Sequence, residues 1–323
     1  MNSKPIIIIC GEPNSVFSEL LAKSIKKFKN KKPIILLGSY SLIQLQLKKL
    51  RHKIKLKRIE LKNNLLKNEN SDKVNIIDIN YNFTKVFEPV SSKSNKYIAD
   101  CFQKAFRIIK KNKISGLING PISKKFFLKK KFPGITEFIA NEFNIKNNYA
   151  MLIFNKALSV CPITTHLPLN KVSKKIKKKD IIIKSLIIDY FYRKNFSVKP
   201  KIGITGLNPH CENFFNISEE KKIIEPVVKK LKNRKIKIYG PFPADTIFLK
   251  QNLKKFDVII GMYHDQVLTP IKTLYGFNAI NITLGLPFLR ISPDHGPNHE
   301  MIGKNKSDPQ SLINALKFLD STK

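Results

Sequence analysis

Short runs of isoleucine, valine and leucine recur along the whole chain, each followed by a stretch with apolar residues at helical spacing. A fully apolar strand needs both faces covered, and helices alternating with such strands provide that cover. The expectation is an α/β protein with strands at Ile6–Cys10, Ile34–Leu37, Ile54–Ile59, Gly116–Asn119, Tyr149–Phe154, Ala157–Pro162, Lys201–Thr205, Ile236–Tyr239, Val258–Met262 and Ala279–Thr283. Helical periodicity is clearest over Val16–Phe28, Asn95–Lys111, Ile181–Tyr192, Ser218–Lys232 and Pro309–Leu319. Residues 61–95 read as a long connection with one short strand near Asn75–Ile79. With 323 residues and no visible repeat, the chain is read as a single two-lobed α/β unit over 1–323, its lobe boundaries not assignable from sequence.

The formal net charge is +37, which alone would suggest nucleic acid or an anionic membrane as partner. Lysines are spread over ordinary helix-surface positions such as 23–32 and 171–180, without interleaved aromatics or a nucleic-acid-binding signature. Compositional drift is therefore the preferred reading, with no nucleic acid and no membrane as partner. A basic binding protein on a disabled enzyme scaffold is the competing class. Cys10, Cys101, Cys161 and Cys211 stand singly, as expected of reduced thiols in a cytoplasmic protein, and the four-isoleucine run at the start is too short for a signal core or membrane span.

Three histidines fall where an expected strand ends: His166 in TTHLPL, His210 in GLNPH and His264 in GMYHDQ. Strand ends point side chains into the binding region of α/β folds, and three converging imidazoles would hold a divalent ion with positions open for substrate. Each alone is more often a satisfied structural residue; the recurrence makes the set a candidate. Asp265 and Asp245 supply carboxylates able to orient an imidazole or take a proton. Asp245 reads equally well as the cap of a following helix. Lys272, Asn281 and Arg290 lie in LTPIKTLYG, AINITLGLPF and LPFLRISPDHG, which read as turning loops around a buried strand. A lysine and an arginine beside a metal suit an anionic substrate. The opening IIIICGEPNSVFSEL has neither GxGxxG nor GxxxxGK[ST], so a Rossmann dinucleotide site and an NTPase are both excluded as readings.

Taken in order, NGPISKKFF (119–127), TTHLPL (164–169), GLNPH (206–210), GPFPADTIF (240–248), MYHDQ (262–266) and NITLGLPFLRISPDHG (281–296) resemble the 4-hydroxythreonine-4-phosphate dehydrogenase family of pyridoxine biosynthesis. The resemblance implies a two-lobed fold like the isocitrate and isopropylmalate dehydrogenases, with central mixed sheets and a cleft between lobes. It also implies a homodimer with the active site at the subunit interface, His166 coming from one subunit and His210 and His264 from the other. The metal would be zinc, magnesium or cobalt and the cofactor NAD or NADP. Thr136, Lys272, Asn281 and Arg290 match substrate-contacting positions, Asp245 and Lys272 are the catalytic candidates, and His295 and Gly296 are candidates for the adenine contact. The implied reaction oxidises 4-phosphooxy-L-threonine at its C3 hydroxyl and decarboxylates the product to 3-amino-2-oxopropyl phosphate. The alternative is a related sugar acid, 4-phosphothreonate or 4-phosphoerythronate.

The chain departs from the family pattern at four places. Ile135 replaces the histidine of GHTEF, and the first loop reads GEPNSVFSE where GDPAGIGPE is usual. Cys211-Glu212-Asn213 follows NPH in place of Ala-Gly-Glu, and DHGTA becomes DHGPN, where Pro297 removes a backbone donor.

Overall fold

A computed structural model describes residues 4–60, 74–128, 131–145, 147–211, 218–276, 278–293 and 297–322. In chain order the strands are β1 (Ile6–Ile9), β2 (Ile34–Gly38), β3 (Leu56–Arg58), β4 (Val74–Asp78), β5 (Gly116–Asn119), β6 (Ala150–Phe154), β7 (Ser159–Pro162), β8 (Ile202–Thr205), β9 (Ile238–Phe242), β10 (Val258–Gly261), β11 (Ile280–Leu284) and β12 (Arg290–Ser292). The main helices are α1 (Phe17–Lys27), α2 (Tyr40–Lys49), α3 (Asn95–Lys111), α4 (Ile135–Glu142), α5 (Lys178–Phe196), α6 (Glu225–Asn233), α7 (His264–Tyr275) and α8 (Gln310–Ser321). The chain divides into two compact units, Met1–Phe138 with Pro287–Lys323, and Ile139–Leu286.

The first unit holds six strands in the order β3-β4-β2-β1-β5-β12, and every pairing among them is parallel. Ile6–Ile9 sits inside this set between β2 and β5, and all four isoleucines are fully buried, as an unbroken apolar run requires. Asn95–Lys111 is helical over the span its periodicity predicts, burying Ile98, Cys101, Phe102, Ala105 and Phe106. The Phe102, Phe127 and Phe132 rings surround Phe138, with centroids 5.3–5.7 Å from it. This aromatic cluster seats the GITEF segment. β12 corrects the expectation of a turning loop at LPFLRISPDHG: Arg290 and Ile291 pair in register with Leu117 and Ile118 of β5.

The second unit is mixed, in the order β11-β6-β7-β10-β8-β9. β6 runs antiparallel to both β11 and β7, while β7, β10, β8 and β9 are mutually parallel. The β6–β7 connection is a hairpin in which Asn155 Oδ1 accepts from the Ala157 N–H at 2.9 Å, the side-chain turn that asparagine favours. α7 packs Val267, Leu268 and Ile271 against Ile153, Val160 and Ile259. The expected single helix 218–232 divides into a π-helical turn, Glu220–Ile224, and α6. Pro226 stands at the start of α6, where its missing N–H is tolerated.

All four cysteines are free thiols, Cys10, Cys101 and Cys161 being buried. Among the described residues no helix is long and apolar enough to cross a membrane.

Candidate active site

The carboxyl ends of β7, β10, β8 and β9 lie side by side in the second unit, and each releases one candidate residue. His166 follows β7, His264 follows β10 and opens α7, His210 follows β8, and Asp245 follows β9 on a helical turn, Ala244–Ile247. Placement at strand ends is thus as the sequence predicts. The backbone ties these ends together: Ile163 N–H and Thr164 N–H donate to the carbonyls of Gly261 and Met262 at 2.7 and 3.1 Å. Thr164 Oγ1 donates to the Met262 carbonyl as well, at 2.8 Å. Gln266 then bridges β10 to β8. Its Oε1 accepts from Met262 N–H and Thr205 Oγ1 at 2.7 and 2.8 Å, and its Nε2 donates to the Gly206 carbonyl at 2.8 Å.

The rings of His166 and His264 lie 5.6 Å apart between centroids, tilted by 39°. Within one chain His166 therefore stands beside His264, a nearness that its assignment to a different subunit from His264 does not anticipate. His264 Nδ1 is 2.7 Å from Asp265 Oδ1. A carboxylate on one ring nitrogen fixes the tautomer and directs the other nitrogen outward as a ligand. His210 is exposed, with its Nδ1 3.9 Å from Asp245 Oδ2, an electrostatic contact beyond hydrogen-bonding range. Asp245 makes no capping bond; Pro243 occupies the cap position, so the cap reading fails and the carboxylate is left facing the histidine. Among the described residues no three His, Cys, Asp or Glu side chains stand together in one chain as a metal-holding group.

The NPH turn is strained and held from beneath. His210 and Cys211 have φ of 54° and 56°, in the left-handed region. Glu220, fully buried, accepts from the N–H groups of Leu207 and Asn208 at 2.7 and 2.9 Å and from Asn208 Nδ2 at 2.8 Å. Burial pushes the Glu220 carboxyl upward, but the hydrogen bonds led by Asn208 outweigh it and hold the group below its ordinary value.

Lys272 belongs to a helix, which corrects its assignment to a turning loop, while Asn281 lies on a strand where the expected Ala279–Thr283 run places it. Lys272 is exposed on α7, about two turns beyond His264. The helix passes through Pro270, which the sequence reads as a breaker. Asn281 lies on β11, and its Oδ1 is buried without a hydrogen-bond partner. A buried acceptor in that condition is costly unless a ligand group completes it.

Arg290 and Thr136 meet in the first unit. Arg290, 3% exposed, donates from Nε to Asn119 Oδ1 at 2.8 Å and from Nη1 to Thr136 Oγ1 at 3.1 Å. Burial lowers its pKa to about 10, opposed by the nearby Glu137 carboxylate, so the guanidinium stays charged at neutral pH. Ile135, next to Thr136 in sequence, is buried. His295 and Gly296 lie outside the described residues. The segment just beyond them is anchored: Lys23 Nζ donates to the Asn305 and Ser307 carbonyls at 3.0 and 2.9 Å, and His52 Nε2 is 3.0 Å from Asn305 Oδ1.

The sequence profile described as pyridoxal phosphate biosynthetic protein PdxA matches residues 29–319. The chain belongs to the PdxA family. It is 37% identical over 318 residues to a 4-hydroxythreonine-4-phosphate dehydrogenase of Sulfurihydrogenibium sp., covering 97% of this chain and 96% of the relative. It is 30% identical over 250 residues to a D-threonate 4-phosphate dehydrogenase of Pectobacterium atrosepticum, covering 76% of each. A crystal structure of 4-hydroxythreonine-4-phosphate dehydrogenase from Klebsiella pneumoniae is similar with a TM-score of 0.83 at 25% identity, covering 98% of both chains. A β-decarboxylating dehydrogenase from Thermococcus kodakarensis, at 11% identity, 97% and 82% coverage and a TM-score of 0.51, shares the fold alone.

For a PdxA-family chain, three supporting residues escape a reading based on titratable groups. Asn119, Gln266 and Glu220 bind no candidate ligand themselves; they hold Arg290, the β10 end and the NPH turn. Asn119 had a visible signal, a polar residue closing a buried strand at the start of NGPISKKFF. Glu220 had none, being ten residues beyond His210 inside an ordinary helical pattern.

Proposed function

We propose that this chain oxidises 4-phosphooxy-L-threonine at its C3 hydroxyl with NAD or NADP and decarboxylates the product to 3-amino-2-oxopropyl phosphate, a step in pyridoxal phosphate biosynthesis. The observation that carries the reading is the row of His166, His264, His210 and Asp245 on adjacent strand ends of a PdxA-family chain. Two imidazoles sharing one zinc ion at about 2.0–2.1 Å per bond have ring centres about 5–6 Å apart. The His166–His264 separation of 5.6 Å matches that, so the donor set fits a divalent ion of the zinc, magnesium or cobalt class.

When bound, the ion would polarise the hydroxyl and then the ketone oxygen, and the nicotinamide would accept hydride. Asp265 fixes the His264 ring for ligation. Asp245 Oδ2 takes the hydroxyl proton, with the His210 imidazole 3.9 Å away to stabilise the charge. Arg290, held rigid by Asn119 and Thr136, and Lys272 grip the phosphate and carboxylate, and Asn281 Oδ1 accepts a substrate donor. A homodimer belongs to the reading, with a second copy completing the ligand set beside the His166–His264 pair. His295 and Gly296 remain the adenine contacts it assigns, and the cytoplasm is its compartment.

Purified protein supplied with 4-phosphooxy-L-threonine, either dinucleotide and each metal in turn should form reduced nicotinamide. No reduction with that compound, together with turnover of 4-phosphothreonate or 4-phosphoerythronate, would overturn the substrate assignment.

A further inference from the structure

Residues 181–188 of α5 read IIIKSLII, an apolar run with one charged side chain, Lys184. An ammonium is normally kept in water, so a lysine in such a run needs a polar destination for its head. Lys184 is half-buried, and its Nζ donates to the carbonyls of Ile163 and Pro162 at 2.6 and 3.2 Å. Both carbonyls belong to the carboxyl end of β7, three and four residues before His166.

That strand end is also held through its N–H groups. Ile163 and Thr164 donate to the Gly261 and Met262 carbonyls at the end of β10. The β10 end thus takes the N–H groups and α5 the carbonyls, while the Cys161 thiol makes a weaker contact with the Pro162 carbonyl at 3.8 Å. The ammonium bonds are charge-assisted, about twice as strong as neutral ones.

His166 follows at once as the middle residue of a three-residue turn, in which Leu167 N–H donates to the Thr165 carbonyl. A ring on so short a turn takes its direction from the backbone that enters it. The two rings of the pair are therefore aimed by different means: His264 by the Asp265 carboxylate at its Nδ1, His166 by the pinned end of β7.

We propose that Lys184 is a positioning residue for metal ligation, holding the β7 end so that His166 stands where it can share an ion with His264. The proposal rests on the reading of the His166–His264 pair as a metal site. It gives a task to a lysine that no charge pattern in this lysine-rich chain sets apart.

The test is cobalt titration of the full-length protein, read by visible absorption, whose bands report the ligand geometry, alongside melting of each metal-free protein. The variants are Lys184→Met, which keeps an unbranched apolar stem, Lys184→Arg, which keeps the charge, and Lys32→Met. Lys32 is the matched control: its half-buried ammonium likewise donates to two carbonyls, of Leu319 and Thr322, but in the first unit. The expected result is cobalt affinity about tenfold weaker in Lys184→Met, with altered bands, and largely restored in Lys184→Arg. Lys32→Met should lose stability and keep the parent's affinity and bands. If Lys184→Met does not fold, Lys184→Gln, with a shorter neutral donor, carries the same comparison. Affinity and bands in Lys184→Met equal to the parent's, or an equal loss of affinity in Lys32→Met, would overturn the proposal and leave the metal reading standing. A parent protein that takes up no cobalt would overturn both. If cobalt binding depends on Lys184 yet neither dinucleotide is reduced with any phosphorylated hydroxy acid, the positioning role stands and the dehydrogenase reading falls.

Discussion

Arg290 and the three histidines are set in the fold in opposite ways. The arginine is 3% exposed and already bonded to Asn119 and Thr136, so the energetic cost of removing its charge from water is met when the chain folds. The imidazoles sit at an open edge, with His264 one-third exposed and His210 nearly two-thirds exposed. Asp265 lies against the His264 ring and Asp245 faces His210. A buried cation couples binding to stability; an exposed ligand set leaves the two separable.

The largest expected effect is at Arg290. Arg290→Met strands the Asn119 and Thr136 acceptors and should cost about 3 kcal/mol in urea unfolding, with kcat/KM down at least about 100-fold. Full stability in that variant would remove the contrast. His264→Ala should loosen zinc or cobalt by at least about 100-fold while shifting unfolding by no more than about 1 kcal/mol, read by metal titration and by melting of the metal-free protein. Asp265→Asn retains the ring and loses its orienting carboxylate, so metal affinity should fall about tenfold with the melting temperature unchanged. If metal binding in Asp265→Asn equals that of the parent, the carboxylate plays no part in aiming the ring.

The smallest effects come from two buried acids whose pH dependence has opposite sign. Glu220 is held below its ordinary value of 4.5, so its stabilisation is present above that pH and disappears as pH falls through the folded value. Glu12 is raised by burial, partly opposed by hydrogen bonds from Ser94 and the Asn14 N–H. Its contribution is present below 4.5 and is lost as pH rises through the folded value. Urea midpoints from acid to neutral pH should therefore diverge, Glu220→Gln losing most at neutral pH and Glu12→Gln gaining there.

Much of this was readable from sequence, for identifiable reasons. Buried parallel strands need unbroken apolar runs, so Ile6–Ile9, Gly116–Asn119 and Val258–Gly261 lie where those runs lie. α2 was hidden because Gln46 faces inward, donating to the Pro13 and Val86 carbonyls, while Leu45 faces solvent, so SLIQLQL mimics strand alternation. α7 was hidden by Pro270, and β12 by the glycines and prolines flanking a strand of three residues. That the three histidines share strand ends was legible. That β10 lies between β7 and β8, setting His264 beside His166, was not, because strand order is decided by packing between distant segments.

The Gln266 bridge has a consequence for how the enzyme should respond to acid. An amide has no proton to gain in the physiological range, so the span between the β10 and β8 ends is insensitive to titration and to salt. The spacing of those two strand ends is then fixed by neutral groups, whatever charge the side chains released from them carry.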